Sequence, residues 1–92
     1  MIQGFRCKET EKVFRRERSR KFENLHDVAL RKLMALHAAK ELRDLRVPPG
    51  NELEALKGNR AGQHSIRVNK QFRICFVWKD GNPEDVEIVD YH

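Results

Sequence analysis

Phe72-Arg73-Ile74-Cys75-Phe76-Val77-Trp78 alternates Phe72, Ile74, Phe76 and Trp78 with Arg73, Cys75 and Val77. Successive side chains of a strand point to opposite faces, so the aromatic set lines one face and Arg73 projects from the other. One face is then core, and the other is open to chemistry. Upstream, residues 63–68 form a second β-rich run joined to the first by Asn69-Lys70-Gln71, a link of hairpin length. Downstream, Asp80-Gly81-Asn82-Pro83 supplies a turn that delivers a last strand over residues 85–91. The second half of the chain therefore reads as antiparallel sheet.

Val47-Pro48-Pro49-Gly50-Asn51 is incompatible with helix and separates the two halves. Before it, Leu25, Ala29, Leu33 and Leu36 recur at helical spacing, with Leu30, Met34 and Leu42 widening the stripe and Asn24 as cap. That pattern predicts a helix over residues 24–42 whose apolar face packs on the sheet. A shorter helix is predicted over residues 9–17. Glu9 and Glu11 stand in its first turn, Val13 and Phe14 supply its buried spots, and Arg15, Arg16 and Arg18 crowd its end, the order that suits the helix dipole. Residues 2–6 are expected to open the chain as a short strand. The fold class is α+β: two N-terminal helices packed on a twisted antiparallel sheet in the order β-α-α-β-β-β, as a single domain over residues 1–92.

Hydrophobic residues make up 39% and charged residues 36% of the 92, which suits a folded domain with a thin core rather than a disordered chain. The net charge of +5 hides an asymmetry. Asp80, Glu84, Asp85, Glu87 and Asp90 put five acids and no base in the last thirteen residues, so residues 1–79 carry 19 basic against 9 acidic groups. Such an excess on a small body points to a polyanion, and to nucleic acid rather than membrane, because no Trp- or Leu-rich basic amphipathic helix is present. Lys12, Arg15, Arg16, Arg18, Arg20 and Lys21 concentrate the excess, with only Glu17 opposing. With Arg60 and Arg67 they are the candidate residues for contact with a polyanion such as RNA. Residues 1–6 hold no apolar signal core and no later stretch approaches the ~18 apolar residues of a membrane span, so a cytoplasmic protein is expected. Cys7 and Cys75 form no CxxC or zinc-ligand spacing and read as free, buried or half-buried residues; neither metal nor cofactor is expected.

Cleaving RNA without a metal needs a group to take the ribose 2′-OH proton, one to protonate the leaving 5′-oxygen, and cations to hold charge on the phosphate. His92 has the side chain whose ordinary pKa lies nearest neutrality, Tyr91 can donate or orient, Lys57 and Arg73 are cationic, and Asp90 can position a cation or an imidazole. As a base, Lys57 would need its pKa lowered, which neighbouring positive charge can do. Taken singly, each also has a plain structural reading: strands often end in polar residues, and lysines and arginines are usually solvated or salt-bridged. His26 and His37 read as surface or boundary residues of the long helix, His64 as structural, and Trp78 as core.

Leu56-Lys57-Gly58-Asn59-Arg60 with Gly62, the strand Ser65-Ile66-Arg67-Val68, the segment Phe72-Arg73-Ile74-Cys75-Phe76, and residues 86–92 together resemble a HigB-type toxin of the RelE/ParE superfamily. Leu42-Arg43-Asp44-Leu45 before the Pro-Pro-Gly break extends the likeness over essentially all of the chain. The Pro-Pro-Gly-Asn link and Gly58-Asn59-Arg60-Ala61-Gly62 are shared with the GraT-like branch. The resemblance implies a RelE-like α+β fold and a toxin of a type II toxin-antitoxin system that cleaves messenger RNA in the ribosomal A site. It implies catalytic or RNA-fixing roles for Lys57, Asp90, Tyr91 and His92, and a strand arginine, Arg73, that meets the scissile phosphate. Its implied partners are a HigA-like helix-turn-helix antitoxin, messenger RNA, and the ribosome through its 16S rRNA. Operator DNA is reached only through the antitoxin complex. Glu54 stands where some HigB toxins place a catalytic histidine, which shifts acid-base work toward Lys57, Tyr91 or His92 and leaves Glu54 as a solvated carboxylate or itself a base. Two rivals follow from the same reading: a gyrase-poisoning toxin of the ParE kind and a non-catalytic ribosome- or RNA-binding module.

Overall fold

The structure, a computed structural model, describes residues 1–90. Four antiparallel strands stand in the order β1-β2-β3-β4: Glu54–Ala55 (β1), Gln63–Arg67 (β2), Phe72–Lys79 (β3) and Asn82–Asp90 (β4). In β3, Ile74 is paired with Ile66 on one side and Ile88 on the other, a cross-strand row of β-branched side chains on the helix-bearing face. Helices α1 (Lys8–Phe14) and α2 (His26–Ala38) cover that face, burying Val13, Ala29, Leu33 and Leu36 against Ile66, Ile74, Phe76 and Val86. Fully burying an aliphatic side chain of this size stabilises by about 1.5–3 kcal/mol, so this row and its helical cover dominate the fold's apolar energy. The α+β architecture read from the alternation and the helical stripe is the one observed. No helix among the described residues is long and apolar enough to cross a membrane.

A bulge in β4 decides which side chains face outward. From the turn, Lys79 pairs with Asn82, Trp78 with Pro83 and Val77 with Glu84, but Cys75 then pairs with Glu87, so two residues of β4, Asp85 and Val86, oppose Phe76 alone. Asp85 takes a positive φ of 51°, the backbone departure that accommodates the extra residue. Without it Ile88 would face Arg73 and Glu87 would be driven into the core beside Ile74. With it Ile88 enters the core, and Glu87 stands outside beside Cys75.

Several boundaries differ from those the sequence suggests. The opening segment makes one parallel bridge, Phe5 to Val86, rather than a strand over residues 2–6. It runs alongside β4 at its bulge, where Gln3 N–H reaches Pro83 O, Arg6 N–H reaches Val86 O, and Val86 N–H reaches Gly4 O, with the left-handed Asp85 interrupting a regular ladder between them. α1 ends at Phe14 rather than near residue 17, because Arg16 turns left-handed at φ 63°. α2 starts at His26 from a 3-10 turn, Glu23–Leu25, that absorbs Asn24, so Asn24 is not the cap. It ends at Ala38, because the Asp44 carboxylate accepts the Lys40 and Glu41 N–H groups and starts a new 3-10 turn, Leu42–Arg46. Those hydrogen bonds hold the Asp44 carboxyl below its ordinary pKa. Met34 stays exposed, and Arg16 lies against its sulfur. The two-residue strand Glu54–Ala55 was not anticipated, since a period of two cannot be read in two residues.

The helical layer is pinned to the sheet by a buried hydrogen bond: the Ile88 N–H of β4 donates to Thr10 Oγ1 of α1 at 2.9 Å, with Thr10 fully buried. Thr10→Val keeps the shape and strands that N–H. Urea unfolding is expected to show a loss of about 1–3 kcal/mol in Thr10→Val and little loss in Thr10→Ser. Equal midpoints for Thr10→Val and the parent chain would contradict the assignment.

Candidate functional site

The outer face of the sheet, opposite the helices, gathers charge. Residues paired across antiparallel strands share a face, so Arg67 and Arg73 stand side by side with Val89, and Glu54, Ser65, Cys75 and Glu87 form the adjacent row. Arg73 is only 8% exposed. Such burial requires partners. Its Nε donates to Ser65 Oγ at 2.7 Å, and its Nη2 donates to the carbonyls of Glu52 and Ser65. Two carboxylates stand nearby: Glu52 Oε1 is 3.7 Å from Nη1 and Glu54 Oε1 is 3.8 Å from Nε. Glu52 Oε2 also lies 4.0 Å from Arg67 Nε. The result is a guanidinium fixed in orientation on a central strand, beside a second one, with acids at the rim.

Further along the same face Arg60 Nη1 bonds Glu87 Oε1 at 2.9 Å and Gln63 Oε1 at 3.0 Å. Beneath this layer lies the Cys75 thiol, whose pKa burial pushes up, with Arg60 and Arg73 opposing and Glu87 and Glu54 adding to the shift. Cys7 is half-buried and Cys75 buried, both free. Lys57 is exposed at the start of the 3-10 turn Gly58–Arg60, just after Leu56 N–H bonds Gln63 O. Arg73 is paired with Arg67 at the other end of β2, four residues away, or about 13 Å of strand. The outer face thus offers cations at both ends.

Asp90 reaches Arg73's end of the sheet but not its face. It is paired with Phe72, so the β4 bulge turns its side chain to the helix side, where Gln71 Nε2 donates to its carboxylate at 3.1 Å. Tyr91 and His92 lie outside the described residues. The basic run borders this same end: Arg20, Lys21, Asn69, Gln71 and Phe72 line a groove of about 300 Å³. Part of the run's charge is matched locally, Lys12 by Glu9 at 3.2 Å, Arg15 by Glu11 at 2.9 Å and Arg18 by Glu23 at 3.5 Å. Lys21 lies over the Phe22 ring. His37 accepts the Ile2 N–H and packs on Phe14, His64 stacks on Phe76, and Trp78 packs against the core, in keeping with their structural readings. Sequence reasoning missed Glu52 and Ser65, and no pattern singles out either one.

Residues 3–92 match the family model described as HigB-like toxin, the RelE-like toxin of the type II toxin-antitoxin system HigB. Over 58 residues the chain is 52% identical to Toxin HigB-1 of Vibrio cholerae, covering 63% of this chain and 61% of that protein. Over 61 residues it is 44% identical to an uncharacterized protein of Haemophilus influenzae, covering 66% of this chain and 58% of that one. The chain therefore spans about three fifths of the length of these curated relatives. In fold it is similar to a mutant of YafQ from E. coli, with TM-score 0.61 and 15% identity over 99% of this chain and 92% of that one. It is also similar to a chain of the YoeB-YefM complex from Staphylococcus aureus, with TM-score 0.59 and 19% identity over 100% and 95% of the two chains.

Proposed function

The chain belongs to the HigB-like family of RelE-like toxins of type II toxin-antitoxin systems, and from that premise we propose that it is a ribosome-dependent endoribonuclease acting on messenger RNA in the A site. The observation that carries this reading is the Arg67–Arg73 pair on the open face of the sheet, with Arg73 held rigidly by Ser65 and the Glu52 carbonyl. Preorganised guanidinium donors suit charge that develops on a phosphate during cleavage, because they need no reorganisation as the reaction proceeds. The ribose 2′-oxygen attacks the adjacent phosphorus, the 5′-oxygen departs, and the products are a 2′,3′-cyclic phosphate and a 5′-hydroxyl. Arg73 holds the phosphate, while Lys57, Tyr91 and His92 supply the proton transfers. Asp90 acts from the end of β4 through the groups it positions. The substrate's own 2′-oxygen is the nucleophile, so the chemistry calls for proton transfer and charge stabilisation. Alignment of the strand is left to the ribosome, which spares a small domain the cost of bending RNA and is worth several kcal/mol.

Arg15, Arg16, Arg18 and Arg20 dock on ribosomal RNA. Replacing all four by Gln is expected to weaken ribosome association and flatten its salt dependence, by about 0.7–0.9 in the log-log slope for each phosphate no longer neutralised. A parental slope in that variant would argue for a merely solvated face. The partner that restrains the toxin is a HigA-like helix-turn-helix antitoxin, and the setting is the cytoplasm. Mapping messenger 5′ ends after brief expression tests the reading: new ends clustered within codons are expected. Intact messenger with gyrase-dependent DNA breaks would assign the chain to the ParE-like alternative instead.

A further inference from the structure

Glu52 occupies an unusual position. It follows the 3-10 turn Pro49–Asn51 with φ 45° and ψ 54°, a left-handed backbone that non-glycine residues seldom adopt. The surroundings hold it there. Asn51 is 1% exposed, its Nδ2 donates to Leu45 O at 3.1 Å and Val47 O at 3.2 Å, and its Oδ1 receives Lys32 Nζ. The Glu52 N–H donates to Pro49 O at 3.0 Å, and its carbonyl receives Arg73 Nη2. One consequence of this clamp is that the two carboxylate oxygens face two different guanidinium groups, Oε1 toward Arg73 at 3.7 Å and Oε2 toward Arg67 at 4.0 Å. An unfavourable backbone conformation maintained at a charged surface is a reason to look for function.

We propose that Glu52 is a resident anion of the Arg67–Arg73 site: its carboxylate stands where a backbone phosphate of single-stranded RNA docks, and RNA binds only by displacing it. The proposal rests on the reading of this face as RNA-facing. Both contacts are longer than hydrogen bonds and the carboxylate is 60% exposed, so the occupant is weakly held and can swing aside. Glu52 then sets specificity. Free RNA meets a partly neutralised arginine pair, whereas a strand already fixed on the ribosome has no ordering cost left and displaces the carboxylate.

The test compares Glu52→Gln and Glu52→Gly with the parent chain for binding to a 2′-O-methyl oligoribonucleotide, which cannot be cleaved, without ribosomes. Both variants remove the charge; Gly also suits the positive φ, so it keeps the comparison available if Gln is poorly tolerated. Both are expected to bind roughly three- to tenfold more tightly at low salt, the gain shrinking as salt rises. In an Arg67→Gln background the gain should shrink, because only the Glu52–Arg73 contact is left to release. Unchanged or weaker binding in both variants, a gain in Glu52→Gly with none in a Glu52→Gln chain shown to be folded, or a gain left at full size in Arg67→Gln would each overturn the proposal. Failure of the nuclease reading shows elsewhere, as intact messenger on programmed ribosomes, and leaves this binding comparison unaffected.

Discussion

Arg73→Lys is expected to lower single-turnover cleavage on programmed ribosomes by about 10²–10³-fold, the scale seen when one preorganised donor to a developing oxyanion is removed. The substitution keeps the charge and loses the fork. A lysine ammonium cannot satisfy Ser65 Oγ and the Glu52 carbonyl while presenting a fixed donor outward, because its three donors sit on one mobile atom. The same loss weakens the fold, by about 1–3 kcal/mol for the buried partners left unsatisfied. That is tolerable against the about 5–15 kcal/mol typical of small domains, so cleavage is to be compared under conditions where circular dichroism shows both chains folded. Cleavage within a few-fold of the parent in folded Arg73→Lys would remove the guanidinium from the reaction and leave it a structural tie between β2 and β3.

The second large effect belongs to Tyr91 and His92. Replacing either by Ala is expected to slow cleavage by roughly 10²-fold if it transfers a proton, the lower end of what positioned acids and bases contribute. Each variant is to be compared with the parent chain under conditions where circular dichroism shows both folded. An unchanged rate in the folded double variant would leave Lys57, with Glu54 beside Arg73, to carry the proton transfers.

The sheet was legible because residues 63–78 alternate strictly enough to give each strand its faces, and α2 was legible through Leu25, Ala29, Leu33 and Leu36. Arg73 was correctly set against the aromatic face for the same reason. The placement of Asp90 was not legible. In a regular hairpin Ile88 would pair with Arg73 and Asp90 would share its face; one extra residue at Asp85–Val86 reverses that parity, and nothing in the local composition announces the bulge. The end of α2 was missed because the apolar stripe continues to Leu42, while the capping box between Glu41 and Asp44 intercepts the backbone first. Glu52 was invisible for another reason. Its left-handed backbone is imposed by Asn51 and Arg73 from outside, and a glutamate gives no sign of accepting it. Local propensity was overridden there by tertiary contacts.

The most direct measurement is the chemistry of the RNA ends made when the purified chain meets ribosomes programmed with a defined messenger. A single break in the A-site codon bearing a 2′,3′-cyclic phosphate and a 5′-hydroxyl is expected, with slow or no cleavage of the same RNA without ribosomes. Intact messenger, or ends with a 3′-hydroxyl and a 5′-phosphate, would contradict the proposed nuclease mechanism.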